Sequence, residues 1–184
     1  LRGALSIGMS GIPFFSHDIG GFIGTPNDEL YVRWAQLGLF SSHSRCHGCG
    51  DYTYREPWRF SPEACRIFRF YDKLRYSLMP YIYSIAADAA INDGTMMRML
   101  AFDYRHDPAA LTIDDQYMFG PDILFAPIMD TKVTERQVYL PEGKWDMHIN
   151  GNTAGTGVIQ TVSNQVMVAP ISAMVLIRED AVVE

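Results

Sequence analysis

Two short segments hold residue types that could bind or transform a ligand. The segment SHDIGGF places His17 and Asp18 just before two glycines and Phe22, and the segment SRCHG carries Arg45 and His47. A carboxylate can accept hydrogen bonds from vicinal hydroxyl groups, and an aromatic ring can pack on the face of a sugar ring. The two segments are therefore candidates for a carbohydrate site.

A purely structural interpretation of these residues stays open. Asp18 could cap a turn, His17 could be a hydrogen-bonded core residue, and Phe22 could belong to the core. Further along, the segment REPW at residues 55–58 favours a structural arginine–glutamate pair beside the tryptophan over a contact with a ligand.

A metal or redox site is a third interpretation. Cys46 and Cys49 form a C-x-x-C pair, and Cys65 is the third cysteine. A complete zinc site needs a second pair of ligands at similar spacing, and the spacing of His17 and His43 fits no common zinc module. Free thiols in a reducing compartment are therefore favoured.

Composition limits the classes of partner. The chain has 184 residues and a net charge of -6, and its 15 basic residues are scattered, which argues against nucleic acid and anionic membranes as partners. No apolar run reaches the roughly 18 residues that a membrane span needs. The sequence begins at Leu1 without the pattern of a secretory signal, so we expect a cytoplasmic location.

Alternating strands and helices are expected to position the two segments. The apolar segment GIPFF, residues 11–15, predicts a short buried strand that ends at the first segment. Thr25 or Asn27 can cap the helix that follows, and Gly38 would end it. A second short apolar run begins at Leu39 and leads into the second segment.

A second helix follows, and the whole first half alternates between strand and helix. Ser61 and Pro62 start this helix, Pro80 kinks or restarts it, and residues 92–94 end it. The alternation predicts parallel strands with crossover helices. In a (β/α)8 barrel the functional side chains lie at the carboxyl ends of the strands, so both segments would meet at one rim.

The second half predicts short strands separated by turns. Six segments are strand-like, and Pro141 to Lys144 is a turn between two of them. We expect an antiparallel β-sandwich, with the chain dividing near Gly94. The six segments are MMRMLAFDY, DDQYMFGPDILFAPIM, ERQVYLP, KWDMHIN, GVIQTVS and QVMVAPISAMVLIRE.

Seven blocks of sequence in fixed order carry a resemblance to a known family. The chain resembles the C-terminal part of glycoside hydrolase family 31, the retaining α-glucosidases and α-xylosidases, over residues 5–178. The second segment and the Ser-His before DIGGF are more similar to the bacterial α-xylosidase branch. The blocks are GIPFFSHDIGGF, ELYVRWAQLGLFSSHSRCHG, REPWRF, RYSLMPYIYS, MMRML, DDQYMFGPDILFAPI and VYLPEGKW.

The resemblance implies a fold and a reaction. Residues 1–93 would be the last two β/α units of a (β/α)8 TIM barrel, and residues 94–184 the proximal β-sandwich, so that the fold class is α/β plus all-β. Family members hydrolyse α-linked sugars by double displacement, with one carboxylate as nucleophile and another as acid and base. Both family segments that supply these carboxylates are missing here, and Asp146 in KWDMHIN is not assigned as nucleophile.

What the resemblance carries over is sugar binding. Asp18 matches the family's aspartate for sugar hydroxyls in the -1 subsite, Phe22 its aromatic lining, and His47 the histidine after the R-x-H pattern. His17 and Arg45 are expected to support these residues from behind. The resemblance implies no metal and no organic cofactor.

The sequence also leads us to expect two kinds of partner and leaves one alternative function open. The chain would bind an α-linked sugar substrate together with the remainder of the barrel, and would be inactive alone. Two barrel units by themselves expose unpaired edges, so self-association or rearrangement is expected. A non-catalytic carbohydrate-binding or interaction module is the alternative.

Overall fold

The computed structural model describes residues 1–51, 54–133 and 136–150 and four short strands beyond them, with side chains described as far as residue 145. None of the helices in these ranges has the length and apolar character needed to span a bilayer. Short 3-10 helices lie at Pro57–Arg59 and Ala110–Thr112. The α-helices are α1 (Arg2–Met9), α2 (Asp28–Leu39), α3 (Pro62–Ser77), α4 (Met79–Ile91) and α5 (Leu100–Asp103).

Helix α2 begins where its capping residues predict. The side chain of Asn27 accepts a hydrogen bond from the Leu30 backbone amide at 2.9 Å, which satisfies one of the free donors at the helix start. Asp28 and Glu29 lie in the first turn, where their negative charges interact favourably with the positive end of the helix dipole. The helix runs one residue past Gly38, because Gly38 keeps a helical backbone and packs against Ile19.

Removing the cap of α2 should destabilise the chain measurably. We expect Asn27→Ala to lower the free energy of unfolding by about 1 kcal/mol, because the Leu30 amide loses its acceptor. Urea denaturation followed by far-UV circular dichroism measures the change. Asn27→Asp keeps an acceptor in place and is the matched control. Equal losses in both variants would show that the cap contributes nothing.

The two following helices also obey their local sequence signals. Ser61 caps α3 by accepting a hydrogen bond from the Ala64 amide at 3.2 Å, with Pro62 at the first helical position. Leu78 lies between α3 and α4, so the chain restarts its helix next to Pro80 as expected.

The two candidate segments lie side by side in parallel. A parallel bridge joins Asp18 to Arg45, and the Ile19 amide donates to the Arg45 carbonyl at 2.8 Å. GIPFF, however, is not a buried strand: Phe14 is 38% exposed, and no strand is assigned within 11–15. The hydroxyl of Ser42 accepts from the Phe15 amide at 2.7 Å and donates to its carbonyl at 2.6 Å, and the His43 amide also donates to that carbonyl at 3.2 Å. A side chain and isolated backbone hydrogen bonds therefore hold this stretch in place of a regular ladder.

Antiparallel strands fill the second half, as the sequence predicts. A seven-stranded sheet has the order β1-β2-β3-β9-β5-β6 with β7 against β5, and β4 pairs with β8 in a separate sheet. The strands that the structure describes are β1 (Met97–Met99), β2 (Tyr117–Phe119), β3 (Ile123–Ala126), β4 (Gln137–Tyr139), β5 (Lys144–Asn150), β6 (Thr153–Ala154), β7 (Val158–Gln160), β8 (Gln165–Met167) and β9 (Met174–Arg178).

One segment expected to be extended is helical instead. Residues 100–103 form α5, whereas MMRMLAFDY predicts a strand through this stretch. The Arg98 guanidinium binds the Asp103 carboxylate at 2.6 Å, and Leu100 is fully buried. The ion pair connects β1 to α5 across the point where the strand ends, a contact that a period-two pattern cannot anticipate.

One hydrophobic core joins helices of the first half to strands of the second. The Phe40 ring is fully buried and stacks on Phe125 with ring centroids 4.6 Å apart. The Tyr117 hydroxyl donates to the Phe40 carbonyl at 2.6 Å. A division into domains at 93/94 stays a prediction from the sequence.

Candidate functional site

The structure brings the candidate carboxylate and the candidate arginine into direct contact. Asp18 Oδ1 lies 2.5 Å from Arg45 Nε, across the parallel bridge that joins their backbones. The side chain of Asp18 is 16% exposed and that of Arg45 is 61% exposed. Arg45 therefore holds the carboxylate from the solvent side, and the bond fixes its orientation at the ends of the two segments.

The candidate aromatic residue and histidine are neighbours at the same rim. The rings of Phe22 and His47 have centroids 5.7 Å apart and are tilted by 37°. The Cys49 amide donates to the Phe22 carbonyl at 2.8 Å, which ties the two loops together. Phe22 is 45% exposed, so its ring is available for contact with a ligand rather than buried in the core.

His17 lies behind this rim in a fixed tautomer. The Trp34 indole donates to His17 Nδ1 at 2.9 Å, and His17 Nε2 lies 3.2 Å from Ser41 Oγ. Because an indole N–H can only donate, Nδ1 is the acceptor and Nε2 carries the proton. Burial chiefly lowers the pKa of His17, to about 4, the amino-terminal charge adds to this effect, and Asp18 opposes it.

Stability should therefore fall as His17 is forced to accept a proton. The pKa of His17 is depressed in the folded chain to about 4, whereas an unfolded histidine titrates near 6.5. The contribution of neutral His17 to the free energy of unfolding is complete above pH 6.5 and is lost as the pH falls towards 4. After allowance for its partial exposure we expect a loss of about 1 to 2 kcal/mol.

Urea denaturation of the wild-type chain and of His17→Gln across this range measures the effect. Glutamine keeps one donor and one acceptor but does not titrate, so the difference between the two proteins isolates His17. Identical pH profiles for the two proteins, or an NMR titration of His17 centred near pH 6.5, would contradict this assignment.

A glycine turn connects Asp18 to Phe22. The Gly21 amide donates to the Asp18 carbonyl at 2.9 Å, and Gly20 and Gly21 both have φ of +86°. A side chain is strained at such a φ. At Gly20 a Cβ would also come within 2.9 Å of Arg55 Cδ. Both the backbone conformation and the lack of space therefore require glycine at this position.

Arg55 is a residue whose role the sequence pattern missed. It is 2% exposed, and its guanidinium donates to the carbonyls of Gly21 at 2.9 Å, Gly24 at 2.5 Å and Tyr54 at 2.9 Å. The expected ion pair with Glu56 is not among its contacts to described residues, so that interpretation is wrong. An arginine next to a glutamate suggests an ion pair. The neighbouring sequence does not indicate that the arginine binds carbonyl groups far away in the chain.

The cysteines are free in the described part of the chain. Cys46 and Cys49 are exposed and Cys65 is half-buried, and the Cys46 thiol lies 3.7 Å from the Tyr31 hydroxyl. Although Cys46 as a whole is exposed, its sulfur lies against Tyr31, and desolvation of the sulfur chiefly raises the pKa of the thiol, which disfavours a reactive thiolate. Among described residues, no three histidine, cysteine or acidic side chains are grouped as a metal site would need.

Both halves of the chain match domains of one known protein family. Residues 1–85 match the glycosyl hydrolases family 31 TIM-barrel domain, and residues 93–183 match the glycosyl hydrolase family 31 C-terminal domain. An alpha-xylosidase of Lactiplantibacillus pentosus is 47% identical over 155 residues, 82% of this chain and 20% of that protein. An alpha-glucosidase of Bacillus thermoamyloliquefaciens is 34% identical, over 91% of this chain and 21% of that protein.

Solved structures agree with the sequence relatives. A GH31 alpha-xylosidase from a soil metagenome, complexed with xylose, superposes with a TM-score of 0.84 at 34% identity, over 97% of this chain and 29% of that chain. A GH31 dextranase of Flavobacterium johnsoniae, complexed with glucose, gives a TM-score of 0.86 at 32% identity, over 97% and 22%. The chain spans about a fifth of the length of the curated relatives it matches.

Proposed function

The chain belongs to glycoside hydrolase family 31, and from this membership we propose that it is the C-terminal part of a longer hydrolase that removes terminal α-linked xylose or glucose from oligosaccharides or glycosides. The observation that carries the proposal is the Asp18 carboxylate, held by Arg45 at the rim that also presents Phe22 and His47.

Each of these side chains suits one task in sugar recognition. The oriented carboxylate of Asp18 accepts hydrogen bonds from two neighbouring hydroxyls of the sugar. The half-exposed ring of Phe22 covers an apolar face of the sugar, and His47 beside it contacts the same sugar. Arg45 binds the aspartate directly, and His17 next to it is held to helix α2 by the hydrogen bond from Trp34.

The covalent chemistry belongs to residues outside this chain. A retaining glycosidase places a nucleophile and an acid/base carboxyl about 5 to 5.5 Å apart, and forms a glycosyl-enzyme that water then hydrolyses. We assign neither role to a residue of this chain. Asp146 lies on β5 between β7 and β9, within the antiparallel sheet. The remainder of the catalytic barrel is accordingly the chain's main partner, with self-association in its absence.

The anomeric configuration of the first product tests this proposal. The longer hydrolase is mixed with p-nitrophenyl α-xyloside or α-glucoside, and proton NMR follows the released sugar before it mutarotates. We expect the α-anomer to appear first, because two displacements restore the starting configuration. The β-anomer first would contradict the retaining reaction, and no release of either sugar would contradict the proposed substrate class.

A further inference from the structure

We infer that Arg55 is the positioning residue of the sugar site: its buried guanidinium sets the conformation of the loop, residues 20–24, that presents Phe22. This inference rests on the proposed function for its consequence in catalysis. Its structural basis is a set of contacts that does not depend on that function.

The guanidinium of Arg55 donates hydrogen bonds to backbone carbonyls on both sides of Phe22. Nε donates to the Gly21 carbonyl at 2.9 Å and Nη2 to the Gly24 carbonyl at 2.5 Å, on either side of Phe22. Nη1 donates to the Tyr54 carbonyl at 2.9 Å, which anchors the guanidinium to its own segment. One planar group therefore fixes both ends of the four-residue stretch, residues 21–24, that carries the aromatic ring.

The charge of Arg55 is buried. Arg55 is 2% exposed, and its hydrogen bonds to described residues go to carbonyl oxygens rather than to a carboxylate. Burying an arginine in this way is unfavourable unless several strong acceptors compensate for lost hydration. The loop carbonyls supply that compensation only in the observed conformation, so the buried charge and the loop conformation depend on each other.

Helix α2 in turn holds the backbone of Arg55 through Tyr31. The Tyr31 hydroxyl donates to the Arg55 carbonyl at 2.8 Å, and the Tyr31 ring stacks on Phe60 with centroids 3.7 Å apart. Tyr31 lies on α2 and is fully buried. Arg55 therefore connects helix α2 to the rim. On the other side of the loop, the Cys49 amide donates a hydrogen bond to the Phe22 carbonyl at 2.8 Å.

Arg55→Lys tests the inference because lysine keeps the charge but lacks the planar fork. A lysine ammonium cannot reach the Gly21 and Gly24 carbonyls in the same geometry as the guanidinium. The matched control is Arg33→Lys, since Arg33 is also a buried arginine that donates to a backbone carbonyl, that of Val133 at 3.0 Å, on another face of α2.

The experiment uses the longer hydrolase with 4-fluorophenylalanine at position 22, and measures its fluorine NMR signal and its kcat/KM for p-nitrophenyl α-xyloside and α-glucoside. We expect Arg55→Lys to move or broaden the signal and to lower kcat/KM about tenfold or more. Arg33→Lys should change neither. Thermal unfolding of both variants shows whether they are equally folded.

Two results would overturn the inference. An unchanged fluorine signal in folded Arg55→Lys would mean that the loop does not need the guanidinium. A shifted signal with unchanged kcat/KM would mean that the loop conformation does not matter to the sugar site. Failure of the proposed function is separate: the unsubstituted hydrolase would then release neither sugar, while the fluorine signal would still report on the loop.

Discussion

Replacing Asp18 with asparagine should lower kcat/KM of the longer hydrolase by about 100-fold or more, for both p-nitrophenyl α-xyloside and α-glucoside. A hydrogen bond to a charged group contributes roughly 1.5 to 3 kcal/mol, and the carboxylate is expected to accept two from the sugar. The substitution also removes the ion pair with Arg45, so the side chain loses the contact that orients it.

Steady-state kinetics with both substrates measure this loss. Glu63→Gln is the control, because Glu63 is an exposed carboxylate that also pairs with an arginine, Arg66, but in the first turn of α3. It should leave kcat/KM within about twofold, since isolated surface ion pairs contribute little. If the Asp18→Asn enzyme kept kcat/KM within threefold of the unsubstituted enzyme, Asp18 would not be a sugar-binding residue of the site.

Replacing Phe40 with alanine should destabilise the chain by about 3 to 5 kcal/mol. The ring is fully buried, stacks on Phe125 and meets Tyr71 and Phe119 edge-on at 6.5 and 6.3 Å. Because these partners lie on α3 and on strands β2 and β3, the cavity would weaken helices and sheet together. Such a loss approaches the lower end of the stability of typical domains, about 5 to 15 kcal/mol.

Hydrogen exchange and urea denaturation report the effect. Amides of α3 and of β3 should both exchange faster in Phe40→Ala, because one core supports both elements. Phe40→Leu refills most of the volume and should cost less than half as much. Tyr83→Ala, at a side chain that is 76% exposed, should stay within about 0.5 kcal/mol. Faster exchange confined to α3 would argue against a shared core.

Local signals in the sequence predict helices α2, α3 and α4 well, but not α1 or α5. Asn27 and Ser61 accept hydrogen bonds from the first turn of their helices, and Pro80 lies beside the break between α3 and α4. These features depend on contacts within four residues, which sequence spacing specifies directly. The parallel arrangement of the two site segments is also predicted correctly, since both are followed by a capped helix.

Features that depend on distant partners escape the pattern. GIPFF is as apolar as a strand, but the Ser42 hydroxyl bonds both polar backbone groups of Phe15. Residues 100–103 form a helix, and the Arg98–Asp103 ion pair connects this helix to β1. Sequence spacing places Asp18, Phe22 and His47 in two loops, yet the contact of Phe22 with His47 appears only in three dimensions.

Arg55 shows the same limit at the site itself. Its neighbours in sequence suggest an ion pair, whereas its bonds reach carbonyls about thirty residues earlier. A glycine pair with positive φ signals a turn, but the sequence alone does not identify the side chain that occupies the space a Cβ would need at Gly20. Tertiary contacts of this kind have no local signature.

Hydrolysis by the purified 184-residue chain, with its intact mass measured in the same preparation, tests the central claim most directly. A mass near 20.8 kDa without release of p-nitrophenol from α-xyloside or α-glucoside is the predicted result, because the chain contributes sugar-binding residues and no catalytic pair. Sustained turnover at that mass would contradict the account, since the nucleophile and the acid/base would then lie within these 184 residues.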